Sequence, residues 1–162
     1  MTEARDVRMG QYGHSNQPSH HIPWMYTFTG QPYKTQALTR EVLDRLYLGS
    51  EIGQGYPGDE DNGEMSAWYV FAALGFYPLQ MGSASYVIGS PLFTKATINL
   101  ENGKKVVIRA PGNSASNVYV QSLTVNGKSW NQTSLPHSVL ANGATLDFTM
   151  GAKRPGGRPA RT

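Results

Sequence analysis

The sequence predicts an α+β fold with helices first and strands after, the change falling near residue 80. Three observations carry this. Apolar residues recur at helical spacing in two segments before residue 80. Beyond it, short runs rich in Val, Ile, Thr and Tyr alternate with polar residues. Three Asn-Gly pairs, at 102–103, 126–127 and 142–143, then read as hairpin turns of the primed type.

Residues 11–34 are dense in His, Asn, Gln, aromatic residues and Pro, and Pro18, Pro23 and Pro32 exclude one continuous helix. A short helix fits 19–29, with Pro23 near its first turn. Thr35 reads as the N-cap of the next helix. Leu38, Val42 and Leu46 follow at a spacing of four, Leu43 and Tyr47 widen the stripe, and Glu41 and Arg45 form an i,i+4 pair. Gly49 is the expected stop. Gly53, Gly55, Pro57 and Gly58 make a loop into a second helix, 64–76, with Met65, Trp68, Tyr69, Ala72 and Phe76 on one face. Val70, Phe71 and Leu74 make its other side apolar, as in a buried helix, and Gly75 and Pro78 end it. Strands are expected at 86–88, 95–100, 104–110, 118–125 and 145–150, in an antiparallel sheet or half of a sandwich with one buried face. No internal repeat is visible.

A chain of 162 residues accommodates one ordinary domain. Charged residues make up 15%, below the usual quarter, beside 18 glycines and 10 prolines, so the chain is rich in turns. The net charge of +3 sits largely in Lys153, Arg154, Arg158 and Arg161, without which it would be about −1. No basic stripe for nucleic acid remains, and the tail 151–162 has too few apolar residues to order itself. Cysteine is absent, which excludes disulfides and thiolate metal sites. No segment reaches the ~20 apolar residues of a membrane span. Residues 1–10 lack the apolar core of a secretory signal, which points to the cytoplasm only if Met1 is the natural start.

The strongest chemical signal is Gly58-Asp59-Glu60-Asp61-Asn62-Gly63-Glu64, four carboxylates in six residues ahead of an apolar helix. One acid there would merely complement a helix N-terminus. Four crowded together, between a Gly-Pro-Gly loop and aromatic residues, suit acid–base chemistry or a hard cation. An EF-hand fails on register: counted from Asp59, the glycine is fifth rather than sixth and Val70 stands where the twelfth-position Glu belongs. The second cluster is His14-Ser15-Asn16-Gln17-Pro18-Ser19-His20-His21. Adjacent histidines rarely face one metal, and no HExxH spacing occurs, so zinc is disfavoured, whereas Asn and Gln carbonyls suit calcium. Alone, this loop reads as a polar segment with satisfied histidines. Tyr69 is expected in the core, while Trp24 and Trp68 fit either the core or a sugar-stacking platform. Asn131-Gln132-Thr133 matches the N-glycosylation pattern, which chance often produces.

Five blocks stand in order. They are 14–26, beginning His14-Ser15-Asn16-Gln17-Pro18; then Gly30-Gln31-Pro32-Tyr33-Lys34-Thr35-Gln36; then 55–69 around the acidic run; then Leu74-Gly75-Phe76-Tyr77-Pro78; then Tyr86-Val87-Ile88-Gly89-Ser90-Pro91. The series closely resembles the C-terminal part of family 92 glycoside hydrolases, the calcium-dependent exo-α-mannosidases. The resemblance implies that residues 1–80 are the last helices of an (α/α)6 catalytic barrel. Residues 81–150 would be antiparallel strands of a sandwich-like closing region, and 151–162 a disordered basic tail. The N-terminal part of such an enzyme would be missing. The resemblance also implies hydrolysis of terminal α-mannosides in glycans with inversion, by a carboxylic acid on one side and a carboxylate-activated water on the other. Asp61 matches the base, with Asp59 as partner or co-base. Asn16 and Gln17 match the family's Asn-Glu pair at the Ca2+, which binds the mannose diol and helps distort the ring. His20, His21, Gln17 and Gly58 belong to the substrate pocket. Two departures stand out. Gln17 replaces the family's usual Glu, and the general acid belongs to a part this chain lacks, so the isolated chain is expected to be inactive or nearly so. Some members act on mannosyl phosphates, whose leaving group needs less protonation. Secretion or a periplasmic location follows from the family alone. The alternative is a non-catalytic carbohydrate-binding or interaction module on the C-terminal sheet, or a bare structural fragment whose uncovered apolar helix faces need a partner.

Overall fold

The computed structural model describes residues 9–47 and 55–155. The expected stop at Gly49, Gly53 and residues 1–8 and 156–162 of the chain's ends lie outside those residues. The first helical segment forms as two 3-10 pieces, a turn at Gln17–Ser19 and a helix at Ile22–Thr29, each with Pro in its first turn. Gly30, left-handed at φ 73°, closes the second. Helix α1 (Pro32–Leu46) follows, then α2 (Glu64–Leu74), β1 (Phe76–Tyr77), β2 (Ser85–Ile88), β3 (Lys95–Asn99), β4 (Lys105–Arg109), β5 (Tyr119–Val125), β6 (Lys128–Ser129), β7 (Ser134–Pro136), α3 (His137–Ala141) and β8 (Ala144–Gly151).

Helix α1 begins at Pro32, not at Thr35. Proline's fixed φ suits a first helical position and its missing N–H costs nothing there. Thr35 is instead a buried interior residue whose hydroxyl donates to the carbonyl of Pro23 at 2.8 Å. The buried face of α1 is half polar: Thr35, Gln36, Thr39 and Arg40 line up beside Val42, Leu43 and Leu46, while Leu38 is half-buried. Each polar side chain finds partners. Thr39 bonds back to the Thr35 carbonyl, and Gln36 Oε1 accepts the N–H of Val120 at 3.0 Å. Arg40 donates to the carbonyl of Pro91 at 2.9 Å and to Asn113 Oδ1 at 2.6 Å, binding α1 to the strand region.

Helix α2 stops at Leu74, and Gly75 caps it at φ 89°. Phe76, expected on the helix, starts β1, because the cap reverses the chain and lets residues 76–77 pair with 88–87 of β2. A Cβ on Gly75 would lie 2.9 Å from the backbone nitrogen of Pro91, so that junction requires glycine. The helix is not covered all round: Val70 is 53% exposed.

The strands form a three-stranded sheet, β1-β2-β7, and a five-stranded sheet, β3-β4-β8-β5-β6. Phe76, Ile88 and Leu135 of the first share one core with Val106, Ile108, Leu123, Leu146 and Phe148 of the second, in sandwich fashion. A second cluster joins Trp24, Val42, Leu43, Leu46, Trp68, Ala72 and Val87. Of the Asn-Gly pairs, Asn126-Gly127 is a primed turn, with φ of 51° and 76° joining β5 to β6. At 102–103 only Gly103 is left-handed, in a turn closed by the Leu100 N–H to the Lys104 carbonyl. Asn142-Gly143 is no hairpin; it links α3 to β8, and β8 runs parallel to β4 and antiparallel to β5. The expected all-antiparallel sheet thus contains one parallel pair. Residues 151–155, expected in the tail, are held in the fold. Gly151 ends β8, the Lys153 carbonyl accepts from Gln121 Nε2 at 2.8 Å, and the Arg154 guanidinium sits over the Tyr33 ring.

Arg40→Ala would leave the Pro91 carbonyl and Asn113 amide with buried, empty positions, and is expected to cost about 3 kcal/mol in denaturant unfolding of the chain. A loss below about 1 kcal/mol would mean that water replaces the guanidinium.

Candidate active site

The two polar motifs meet at the N-terminal end of α2. The indole of Trp68, 1% exposed, donates Nε1–H to the carbonyl of His20 at 3.2 Å. His14 lies edge-on to that indole at 4.3 Å and stacks on His20 at 4.4 Å. From the other side, Gly58 abuts Ser15: a Cβ on Gly58 would fall 2.6 Å from that of Ser15. The loop that carries the acids is therefore seated on the loop that carries the histidines, and the seat requires a glycine.

The hydrogen bonds fix the ring proton of His14 and place one on His20 Nε2. Tyr47 donates its hydroxyl to the Met65 carbonyl at 3.1 Å, so it accepts from His14 Nε2–H at 2.6 Å. His14 Nδ1 then accepts from the Tyr12 hydroxyl at 2.7 Å. Burial, with His20 alongside, lowers the pKa of His14 to about 3 and keeps it neutral. Burial raises those of Tyr12 and Tyr47. His20 Nε2–H donates to the His14 carbonyl at 2.9 Å. Its Nδ1, buried and without a hydrogen-bond partner, faces Glu64 Oε1 at 3.4 Å.

The four acids separate by role. Glu60 acts as the helix cap: its carboxylate accepts from the N–H of Gly63 at 2.6 Å and of Ser66 at 3.1 Å. Hydrogen bonds from the Ser66 side chain and from those amides lower its pKa. Tyr56 hydrogen-bonds Ser66 Oγ at 2.8 Å and extends that frame. Glu64 faces His20. Asp59 and Asp61 remain exposed. Asp61, Asn62 and Gly63 take φ of 56°, 58° and 97°, three successive left-handed residues that turn the chain sharply into α2. The expectation of a single acidic site is thus refined to one capping residue, one histidine partner and two displayed carboxylates.

Asn16 and His21 are exposed at either end of the first 3-10 turn, and His20 is buried between them and Trp68. Gln17 is half-buried, with Nε2 buried and unpartnered. Trp24 and Trp68 belong to the core, so neither is a sugar platform on this face, and Tyr69 packs half-buried against the same cluster. Among the described residues no three His, Asp or Glu side chains converge to hold a metal ion. The amide groups of Asn16 and Gln17 offer neutral oxygens, which suit a hard cation, and the untied Gln17 amide is free to turn its oxygen to one. The role of Tyr12 and Tyr47 escaped the sequence reading. Tyr47 lies 33 residues from His14, and its helical spacing signalled core packing.

Gly58→Ala is expected to cost about 1–3 kcal/mol in chemical denaturation, because the methyl group meets Ser15. Ser15→Gly in the same chain should restore most of the loss, and no restoration would place the strain elsewhere. His14 makes a separate prediction. Its pKa falls on folding from 6.5 to about 3, so its contribution to stability is complete above pH 6.5. It is then lost as pH falls toward 3, at up to about 1.4 kcal/mol per pH unit. Measured by denaturant titration, the cost of His14→Gln should shrink steadily from pH 7 to pH 4. A cost independent of pH would show that His14 takes up a proton within the fold.

The profile of the Glycosyl hydrolase family 92 catalytic domain matches residues 1–152. An "Uncharacterized secreted glycosidase" of Arthroderma benhamiae is 30% identical over 139 residues, covering 84% of this chain and 18% of that protein. Among solved structures, the family GH92 alpha-mannosidase BT3965 from Bacteroides thetaiotaomicron, in complex with mannoimidazole, matches with a TM-score of 0.90 at 36% identity. That match covers 98% of this chain and 21% of the other. The family GH92 inverting mannosidase BT2199 from the same organism matches with a TM-score of 0.84 at 44% identity, over 93% of this chain and 21% of its own. The chain thus spans about a fifth of the length of these relatives. With the profile covering nearly its whole length and the histidine and acid loops docked on one another, the chain belongs to glycosyl hydrolase family 92.

Proposed function

We propose that this chain is the C-terminal segment of an inverting, calcium-dependent α-mannosidase that releases terminal α-linked mannose from glycans. Residues 1–80 would complete a catalytic (α/α)6 barrel, and 81–150 would close it with strands. One observation carries the proposal. The acid loop is seated on the histidine loop through the Gly58–Ser15 contact, with Glu64 facing His20, while the carboxylates of Asp59 and Asp61 are exposed. Structural carboxylates are normally paired or capping, as Glu60 is. Carboxylates displayed on a rigid turn are available to a substrate.

In this assignment Asp61 takes the proton from the water that attacks the anomeric carbon, and Asp59 assists beside it. The glycosidic oxygen leaves from the opposite face and takes its proton from an acid outside this chain. Inverting carboxyl pairs stand about 6.5–9.5 Å apart, which leaves room for the water. His20 and His21, with Gly58, would border the sugar, and the Nε2–H of His20 is held by the His14 carbonyl. The amide oxygens of Asn16 and Gln17 would hold the Ca2+, whose chemistry when bound is to grip the mannose diol and favour a distorted ring. Their neutrality means that the anionic ligands come from elsewhere in the enzyme. Terminal mannose on extracellular glycans, and a secreted or periplasmic enzyme, fit the "secreted" relative. No described helix is long and apolar enough to cross a membrane.

The test places this chain in the mannosidase BT2199 in place of its matching segment. The chimera is expected to release mannose with inversion, to lose about 10²–10⁴-fold in kcat on Asp61→Asn and less on Asp59→Asn, and to lose activity to chelation until Ca2+ is restored. The isolated chain should be silent. Robust turnover by the isolated chain, abolished by Asp61→Asn, would overturn the division of the catalytic pair. Sugar binding that survives loss of both aspartates and needs no Ca2+ would support a binding module instead.

A further inference from the structure

The 3-10 helix Ile22–Thr29 has one face without a partner. Pro23, Trp24 and Thr27 are buried, largely against α1. Ile22, Met25 and Phe28 are 48%, 46% and 57% exposed. In a 3-10 helix side chains three apart eclipse, so these three large apolar groups form a single straight stripe. Half of the six exposed large hydrophobic residues among those described belong to it. Eight residues is long for a 3-10 helix, whose hydrogen-bond geometry is poorer than an α-helix's, and such a run depends on packing. Here the packing is present on one side only.

What covers the other side follows from the proportions of the family. The same fold, at TM-scores of 0.84 and 0.90, occurs inside chains of which it makes up about a fifth. We infer that the Ile22–Met25–Phe28 stripe docks against an apolar surface in the remaining four-fifths of a family 92 polypeptide. This inference rests on the proposal that the chain is a segment of a larger enzyme, and adds where the two parts meet. The stripe carries no charge, so the partner face is apolar, and the Lys34 ammonium over the Tyr26 ring marks a polar rim. The stripe begins at the residue after His21, and the His21 carbonyl accepts the Trp24 N–H at 3.0 Å. Docking would therefore set the position of His20 and His21 relative to the part that supplies the general acid.

The absence of cysteine makes a clean probe, since Met25→Cys adds the chain's single thiol. Labelling at residue 25 by a maleimide, read by peptide mass spectrometry, should be at least ten-fold slower in the BT2199 chimera than in the isolated chain. Equal labelling in both would overturn the docking. As a second measurement, BT2199 lacking its matching segment should capture the isolated chain. The combined Ile22→Ser, Met25→Ser, Phe28→Ser variant should escape capture while melting like the unmodified chain. Capture unaffected by the three serines would also overturn it, as would a stripe that instead pairs two copies of the isolated chain and is released by the serines. Turnover of the chimera reports separately on the catalytic proposal. Protection of residue 25 without turnover would sustain the docking and remove the mannosidase assignment, and turnover without protection would do the reverse.

Discussion

The site end of the molecule depends on the indole of Trp68. It is large, almost fully buried and fixed by one directional bond, its N–H to the carbonyl of His20. The backbone of the histidine loop is thereby pinned to helix α2, and the rings of His14 and Tyr47 pack on the same indole. Tyr47 closes the circuit by bonding both His14 and the first turn of α2 through the Met65 carbonyl. Few of these contacts are strong alone. Together they leave each polar atom of His14 satisfied in a space from which water is excluded, where an unmade bond is costly.

From that floor the chemistry is arranged upward. Both ring nitrogens of His14 are taken up by tyrosine hydroxyls, which leaves none for a substrate. The His14 carbonyl accepts the Nε2–H of His20, and His20 Nδ1 faces the Glu64 carboxylate at 3.4 Å. Glu60 ties down the turn that carries Asp61. A buried, structural layer thus supports a displayed one, which is what the proposed base at Asp61 would require. Positional error of even about 1 Å at such a group is expensive in rate.

The outline of this arrangement was legible in the sequence, and the reasons for the rest are physical. The helix-to-strand order, both main helices and the five longer strands follow from periodicity, and the two polar motifs follow from composition. The beginning of α1 was misplaced because Thr35 looks like a cap. Only the fold shows that its hydroxyl serves Pro23 across twelve residues. Gln36 and Arg40 look solvent-facing by type, yet each is buried against a long-range partner that no local pattern announces, while buried Thr39 bonds back to the carbonyls of Thr35 and Gln36 in its own helix. Asn142-Gly143 has the composition of a hairpin, but five residues before it form α3, so the chain returns parallel to β4. Strands β1, β6 and β7, of two or three residues, are too short for a period to show. At the site, the residue types were readable while the division of labour among four acids was not, because it is decided by which carboxylates reach amide hydrogens.

That division bears on function through the backbone. A run of three left-handed residues is unfavourable for Asp61 and Asn62, although Asp and Asn tolerate it better than most. Such a conformation persists where surrounding bonds over-determine it, here the Glu60 carboxylate on Gly63 and Ser66 and the Asp61 carbonyl accepting the Glu64 N–H at 3.2 Å. An ordinary Ser or Asp cap would satisfy those amides from an extended residue without that strain. The extra turn has one evident consequence. It separates Asp61 from the capping acid and leaves it on the exposed side of the loop. Strain kept where a cheaper cap was available, with an exposed carboxylate as its result, supports the proposal that Asp61 serves as the base.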